Sequence, residues 1–349
     1  VRSPQCARFN GTVATLTIII NKAIFEKTRI APELERLTPP VKKLLSLTAL
    51  AAATALVLSG CASASTDAGA TDEPTNDSGV RIVASTDVYG DIAKQIGGDR
   101  VSVTSIIDDP DKDPHEYEAD ARTQLSLSKA QLVIENGGGY DDFVDKMLAA
   151  ADNKIAPVLN AADISGYDQE PADGEFNEHV WYDFPTVQKL TDELVNQLSA
   201  IDPDGTKTYE ENAKTFEGQL TALEQQEKDI KASFDGAGAA ITEPVPLYML
   251  TAAGLVNKTP GAFSEGIEEG TDVAADVLKQ TTDLFSSGAV KVLVYNEQTS
   301  GAQTELVLTA AKDSKIPVVP VTETLPAGTD YISWMTTNLN ALQSALSGK

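Results

Sequence analysis

Residues 205–234 read GTKTYEENAKTFEGQLTALEQQEKDIKASF. Apolar side chains recur at Tyr209, Ala213, Phe216, Leu220, Leu223, Ile230 and Phe234, mostly in steps of three and four. That spacing marks one face of a helix, and Glu210, Glu217, Glu224, Glu227 and Lys231 are expected to solvate the rest. At 1.5 Å per residue the helix would run roughly 45 Å, long enough to span two lobes. The same stripe also admits a coiled-coil dimer seam, but it is single and interrupted.

On both sides of this helix, short apolar runs alternate with helical patterns. Upstream, Arg81–Ser85 and Val101–Ile107 read as strands, with a helix through Ile92 and Ile96 between them. Gln124–Ala130 looks helical, Gln131–Ile134 and Ile155–Leu159 look like strands, and a helix is expected over Pro185–Leu198. Downstream, Ala240–Met249 passes from strand to helix, and Val290–Tyr295 and Ile316–Val321 are strands with a helix over Glu305–Ala311 between them. A last helix covers Tyr331–Leu346. Alternation of this kind favours parallel sheets covered on both faces. The expected fold is therefore α/β, with two lobes at 80–204 and 235–349, each a mostly parallel sheet with flanking helices, joined by the long helix 205–234. A site is expected where the strand ends of the two lobes face each other.

The 349 residues carry a formal charge of −25, and only three of the 52 acidic side chains precede Cys61. A surface this acidic argues against nucleic acid as a partner, because phosphates require basic residues. Only two cysteines occur, Cys6 and Cys61, so the body of the chain has no disulfide framework. From Val41 the chain reads VKKLLSLTALAAATALVLSGC, with Lys42 and Lys43 before an apolar stretch of signal-peptide length. Its end, Leu58-Ser59-Gly60-Cys61, resembles the lipobox of bacterial lipoproteins, which implies a lipidated Cys61 and an anchor in the membrane. Residues 41–60 are thus expected to be a signal peptide and 61–79 a flexible tether, poor in large apolar side chains. Residues 1–40 precede a complete export signal, so they are expected to be a non-native extension, with translation beginning at Val41.

The chain has only two histidines, His115 in Asp113-Pro114-His115-Glu116-Tyr117-Glu118 and His179 in Glu178-His179-Val180-Trp181-Tyr182-Asp183. Both sit in loop segments of the same lobe, and neutral imidazole is a common transition-metal ligand. These two segments resemble the first two ligand motifs of the metal-specific (zinc/manganese) solute-binding lipoproteins of ABC importers, the cluster A-I family. The resemblance runs from about Arg81 to the C-terminus. Thr242-Glu243-Pro244-Val245-Pro246-Leu247-Tyr248 resembles the family's third ligand segment, and Val321-Thr322-Glu323-Thr324-Leu325-Pro326 the fourth.

The resemblance implies one metal site made by His115, His179, Glu243 and Glu323, holding Mn²⁺ or Zn²⁺ as cargo. It implies a monomeric, non-enzymatic protein outside the cytoplasm that hands the ion to ABC permease subunits. The fourth position is Glu323 where the family usually has Asp, and Asp330 stands close enough in sequence to substitute. Glu265, Glu268 and Glu269 read as a solvated acidic face. Two other readings share these features. An envelope adhesin or structural lipoprotein of the same fold would have lost the metal. A metallohydrolase would need an open coordination position and a poised base, and neither HExxH nor G-x-S-x-G occurs.

Overall fold

The computed structural model describes residues 79–109, 117, 120–172 and 174–348. The expected extension, signal peptide, Cys61 and nearly all of the tether lie outside these residues, and so does His115.

The first sheet is formed by β1 (Val80–Thr86), β2 (Val101–Ile107), β3 (Leu132–Glu135) and β4 (Val158–Asn160), in the order β2-β1-β3-β4. All three pairings are parallel, with Ile82 opposite both Val103 and Leu132, and Ile134 opposite Leu159. Parallel strands demand crossovers, and α1 (Asp87–Gly97), α2 (Ala121–Lys129) and α3 (Phe143–Ala150) supply them. Beyond β4 come α4 (Ala161–Ser165) and α5 (Phe184–Ile201). The Asp183 carboxylate starts α5 by accepting from the Thr186 amide at 3.1 Å, with Pro185 in the first turn.

The second sheet repeats the order. It comprises β5 (Gly238–Ile241), β6 (Val256–Asn257), β7 (Val292–Asn296) and β8 (Val318–Val321), arranged β6-β5-β7-β8 with parallel pairings throughout. Its helices are α7 (Leu247–Ala252), α8 (Gly261–Glu268), α9 (Ala275–Ser286), α10 (Ala302–Asp313) and α11 (Tyr331–Ser347). Helix α8 ends at the Glu268 carboxylate, and its eight residues are too few for apolar spacing alone to mark a helix.

Between the sheets runs α6 (Thr206–Phe234). It buries Tyr209, Ala213, Phe216, Leu220, Leu223 and Ile230, the apolar stripe of the sequence. Glu227 is the exception. It occupies the stripe's missing position between Leu223 and Ile230 and is 5% exposed, so it is not one of the solvating residues. Burial, with Asp183 nearby, pushes its carboxyl up to about 8. The α6 stripe belongs to one continuous core that takes in Ile82, Ile92 and Leu132 of the first lobe and Ile241, Val294 and Leu339 of the second. Side chains also tie one lobe to the other. The Tyr182 hydroxyl donates to the Thr322 carbonyl at 2.7 Å, and the Tyr331 hydroxyl donates to the Trp181 carbonyl at 2.6 Å. Asp87 and Asp91 of α1 accept from the Leu325 and Tyr331 amides at 3.1 and 2.8 Å.

Candidate metal centre

The carboxyl ends of β3, β5, β7 and β8 deliver their following residues to the junction of the lobes, as an open α/β sheet requires. Thr242-Glu243 follows β5, Asn296 ends β7, and Thr322-Glu323 follows β8. His179 lies on the other side, at the start of a short 3₁₀ turn, Val180–Tyr182. His179, Glu243 and Glu323 are 1%, 3% and 7% exposed. An imidazole and two carboxylates are therefore withdrawn from water, which is costly unless other groups hold them.

Asn296 holds the two carboxylates together. Its side-chain amide donates to Glu243 Oε2 in a short contact and to Glu323 Oε1 at 2.8 Å. Tyr140 links Glu323 to the histidine: its hydroxyl donates to Glu323 Oε2 at 3.2 Å, and its ring lies 5.9 Å from the His179 ring. Burial, then the Glu323 charge, raises the Tyr140 hydroxyl well above its ordinary pKa, so it stays a donor. Gln298 pins the segment after β8, its Oε1 accepting from the Glu323 amide at 2.5 Å and the Thr324 amide at 3.2 Å. Tyr140 itself is placed by three successive left-handed glycines, Gly137, Gly138 and Gly139. A Cβ on Gly137 would also strike Asn160, and one on Gly138 would strike Phe176, so only glycine fits there.

The state of His179 follows from Asn177. The Asn177 side-chain nitrogen donates to the Pro244 carbonyl at 3.2 Å, which turns its oxygen toward His179. That oxygen accepts from the His179 amide at 3.2 Å and from Nδ1 at 2.8 Å. Nδ1 therefore carries the proton, and Nε2 presents its lone pair, the form of histidine that binds a metal.

Glu268 corrects the reading of a solvated acidic face. Glu269 is exposed and Glu265 half-buried, but the Glu268 side chain is largely enclosed at the end of α8, with Oε1 3.4 Å from His179 Nε2. Burial first, then the charges of Glu178, Glu243 and Glu323, pushes its carboxyl far above the carboxylate range. Burial also raises Glu178, to about 7. Asp330 lies elsewhere: it is exposed and caps α11, accepting from the Ser333 amide at 2.8 Å and the Ser333 hydroxyl at 2.9 Å. That role leaves it no part in the centre. A cleft of about 730 Å³ lies beside the centre, lined by Glu175, Asn177, Glu178, Glu265, Glu268 and Glu269 among others.

The model of the family described as "ZnuA: Zinc-uptake complex component A periplasmic" matches residues 82–345. The chain belongs to this family. Among its curated relatives is the manganese ABC transporter substrate-binding lipoprotein scaA of Streptococcus gordonii, 25% identical over 307 residues that cover 83% of this chain and 96% of that protein. The zinc-binding lipoprotein AdcA of Streptococcus pneumoniae is 26% identical over 279 residues, covering 72% of this chain and 53% of the relative. Among solved structures, FpvC of Pseudomonas aeruginosa in complex with Mn²⁺ superposes with a TM-score of 0.64 at 21% identity, covering 77% of this chain and 99% of that one. The laminin-binding adhesin Lmb of Streptococcus agalactiae gives 0.66 at 18% identity, over 77% and 100%. At these identities the solved structures speak to the two-lobed α/β fold, and the family shares it across members named for manganese and for zinc.

Proposed function

We propose that this protein is the extracytoplasmic binding component of an ABC importer, capturing a divalent transition metal between its lobes and delivering it to a permease. His179, Glu243 and Glu323 are its ligands, joined by His115, whose assignment rests on its sequence motif. The observation that carries this reading is the buried pair Glu243 and Glu323 gathered by Asn296, opposite a histidine whose tautomer exposes Nε2. Membership of the family adds weight, since relatives are named as manganese- and zinc-binding lipoproteins of importers.

Two imidazoles and two carboxylates make a mixed nitrogen–oxygen site without thiolate. Carboxylates bind through one oxygen or two, so coordination can exceed four, which suits Mn²⁺ better than the tetrahedral preference of Zn²⁺. Mn²⁺ is the proposed cargo, although Zn²⁺ is expected to bind more tightly in vitro. The protein acts as a monomer and is not an enzyme: four side-chain donors, two of them carboxylates that can bind through both oxygens, leave little room for a reacting water. It is held at the membrane by a lipid on Cys61.

The test is metal binding by His179→Ala and Glu323→Ala, with uptake measured in cells lacking the protein. Each substitution should weaken binding by orders of magnitude, about 10²-fold or more, in a folded protein. Parent-like binding by both would remove the site. Loss of manganese accumulation is expected in the deletion strain, and a selective loss of zinc would overturn the manganese preference alone. Mass spectrometry of membrane-extracted protein should find a lipidated Cys61 at the N-terminus; peptides from residues 1–40 would refute the start at Val41.

A further inference from the structure

Helix α8 is anchored by Phe263, which is fully buried with Val273 and Leu293 in the second lobe, and Ile267 packs beside it one turn later. Ser264 and Glu268, also four residues apart, occupy the neighbouring face and line the cleft. The helix thereby sets a carboxylate from the second lobe directly against His179 of the first.

We infer that Glu268 is itself a ligand of the captured cation, completing the coordination sphere on the side of His179 that faces the cleft. This rests on the reading of the centre as a divalent-metal site, and it adds a residue that no motif in the sequence marks.

The argument begins with the histidine tautomer. With Nδ1–H given to Asn177, Nε2 has a lone pair and no proton to offer. An ionised Glu268 oxygen 3.4 Å away is also an acceptor. Two acceptors held this close need a positive charge between them, either a cation or the carboxyl's own proton. Two donor atoms each about 2.1–2.3 Å from an ion stand about 3.0–3.8 Å apart over octahedral to tetrahedral angles, a range that includes the 3.4 Å found here. Glu178 offers a further carboxylate oxygen, and the ligand atoms of Glu178, His179 and Glu268 all lie within 4.8 Å of one another. A dication also answers the electrostatics, because it neutralises carboxylates that would otherwise be crowded in a poorly hydrated space. The competing arrangement is a neutral glutamic acid that donates its own proton to Nε2 and takes no part in binding.

A Glu268→Gln substitution separates the two, since the amide keeps a donor for Nε2 but is a poor ligand. Mature protein would be titrated with Mn²⁺ alone and with Zn²⁺ alone, in competition with a chromogenic chelator. If Glu268 is a ligand, Glu268→Gln should bind Mn²⁺ about tenfold or more weakly and Zn²⁺ less affected, because a further carboxylate matters most where coordination is high. Parent-like affinity for both ions, within about twofold, in Glu268→Gln alongside lost binding in His179→Ala would overturn the inference and leave the metal site standing. Parent-like binding by both variants would remove the site and the inference with it. A crystal structure of the unaltered protein with Mn²⁺ decides the matter even if Glu268→Gln does not fold. A Glu268 oxygen within about 2.5 Å of the ion is expected, and both oxygens beyond about 4 Å would overturn the assignment.

Discussion

The chemistry of the centre is set by side chains that do not touch the ion in the proposed reading. Asn177 decides which nitrogen of His179 is basic, through a chain that ends on the Pro244 carbonyl. Asn177→Ala should therefore weaken metal binding by about 10–100-fold while the protein stays folded, as chelator competition and circular dichroism would show. Unchanged affinity would mean that His179 finds its tautomer without help. Asn296 has the opposite task, holding two carboxylates that repel each other. Replacing it with leucine of similar size removes their shared donor, and affinity should fall about tenfold or more, because buried acceptors lose a hydrogen bond that water cannot replace. These supporting residues gave no signal in the sequence. An asparagine two positions before a histidine, or at the end of a strand, has many ordinary uses. Glu268 was misread for the same reason: in a chain with 52 acidic residues, one more glutamate carries little information.

At the scale of elements, α6 combines a legible pattern with one departure from it. Its apolar stripe reads directly from the sequence, and the helix Thr206–Phe234 follows it to within a residue of the expected start. Glu227 sits on that stripe and is buried, with its carboxyl raised to about 8. The folded chain thus keeps a proton between about pH 4.5 and 8 that the unfolded chain releases. Stability should fall as pH rises through this window and be lowest above it, with no contribution below about 4.5. Glu227→Gln should remove that slope and raise the melting temperature by about 2–5 °C at pH 9, with little change at pH 4. Scanning calorimetry across pH checks this, and an equal gain at both ends would point to packing and not to the proton.

For the whole molecule, the long helix and the continuous core limit how the lobes can move. A hinge needs a few residues free to change φ and ψ, and α6 offers a hydrogen-bonded helix instead. The contacts of Tyr182, Tyr331, Asp87 and Asp91 across the junction add to this restraint. Metal binding should change the radius of gyration by less than about 1 Å in X-ray scattering, with closure confined to segments around the centre. A fall of several ångströms would show a hinge that the helix does not prevent.

What the sequence determined by itself was periodicity and chemistry of rare residues. Alternating apolar runs gave two parallel sheets, since side-chain spacing reports local backbone geometry and which face is buried. His179 stood out because the chain has only two histidines, and the segments around Glu243 and Glu323 stood out through a family resemblance. Tertiary structure alone decided which of many carboxylates belong together. Asp330 and Glu323 are seven positions apart, yet one caps a helix at the surface and the other is buried beside Asn296. Glu268 lies 89 positions after His179 and still comes within 3.4 Å of it. Glu227 falls on the face of α6 that packs into the core, and only that packing keeps its carboxyl from water, while Gln225, Lys228 and Asp229 beside it are exposed. The physical reason is the same in each case: burial and charge proximity are set by packing between distant segments, and no local pattern encodes them.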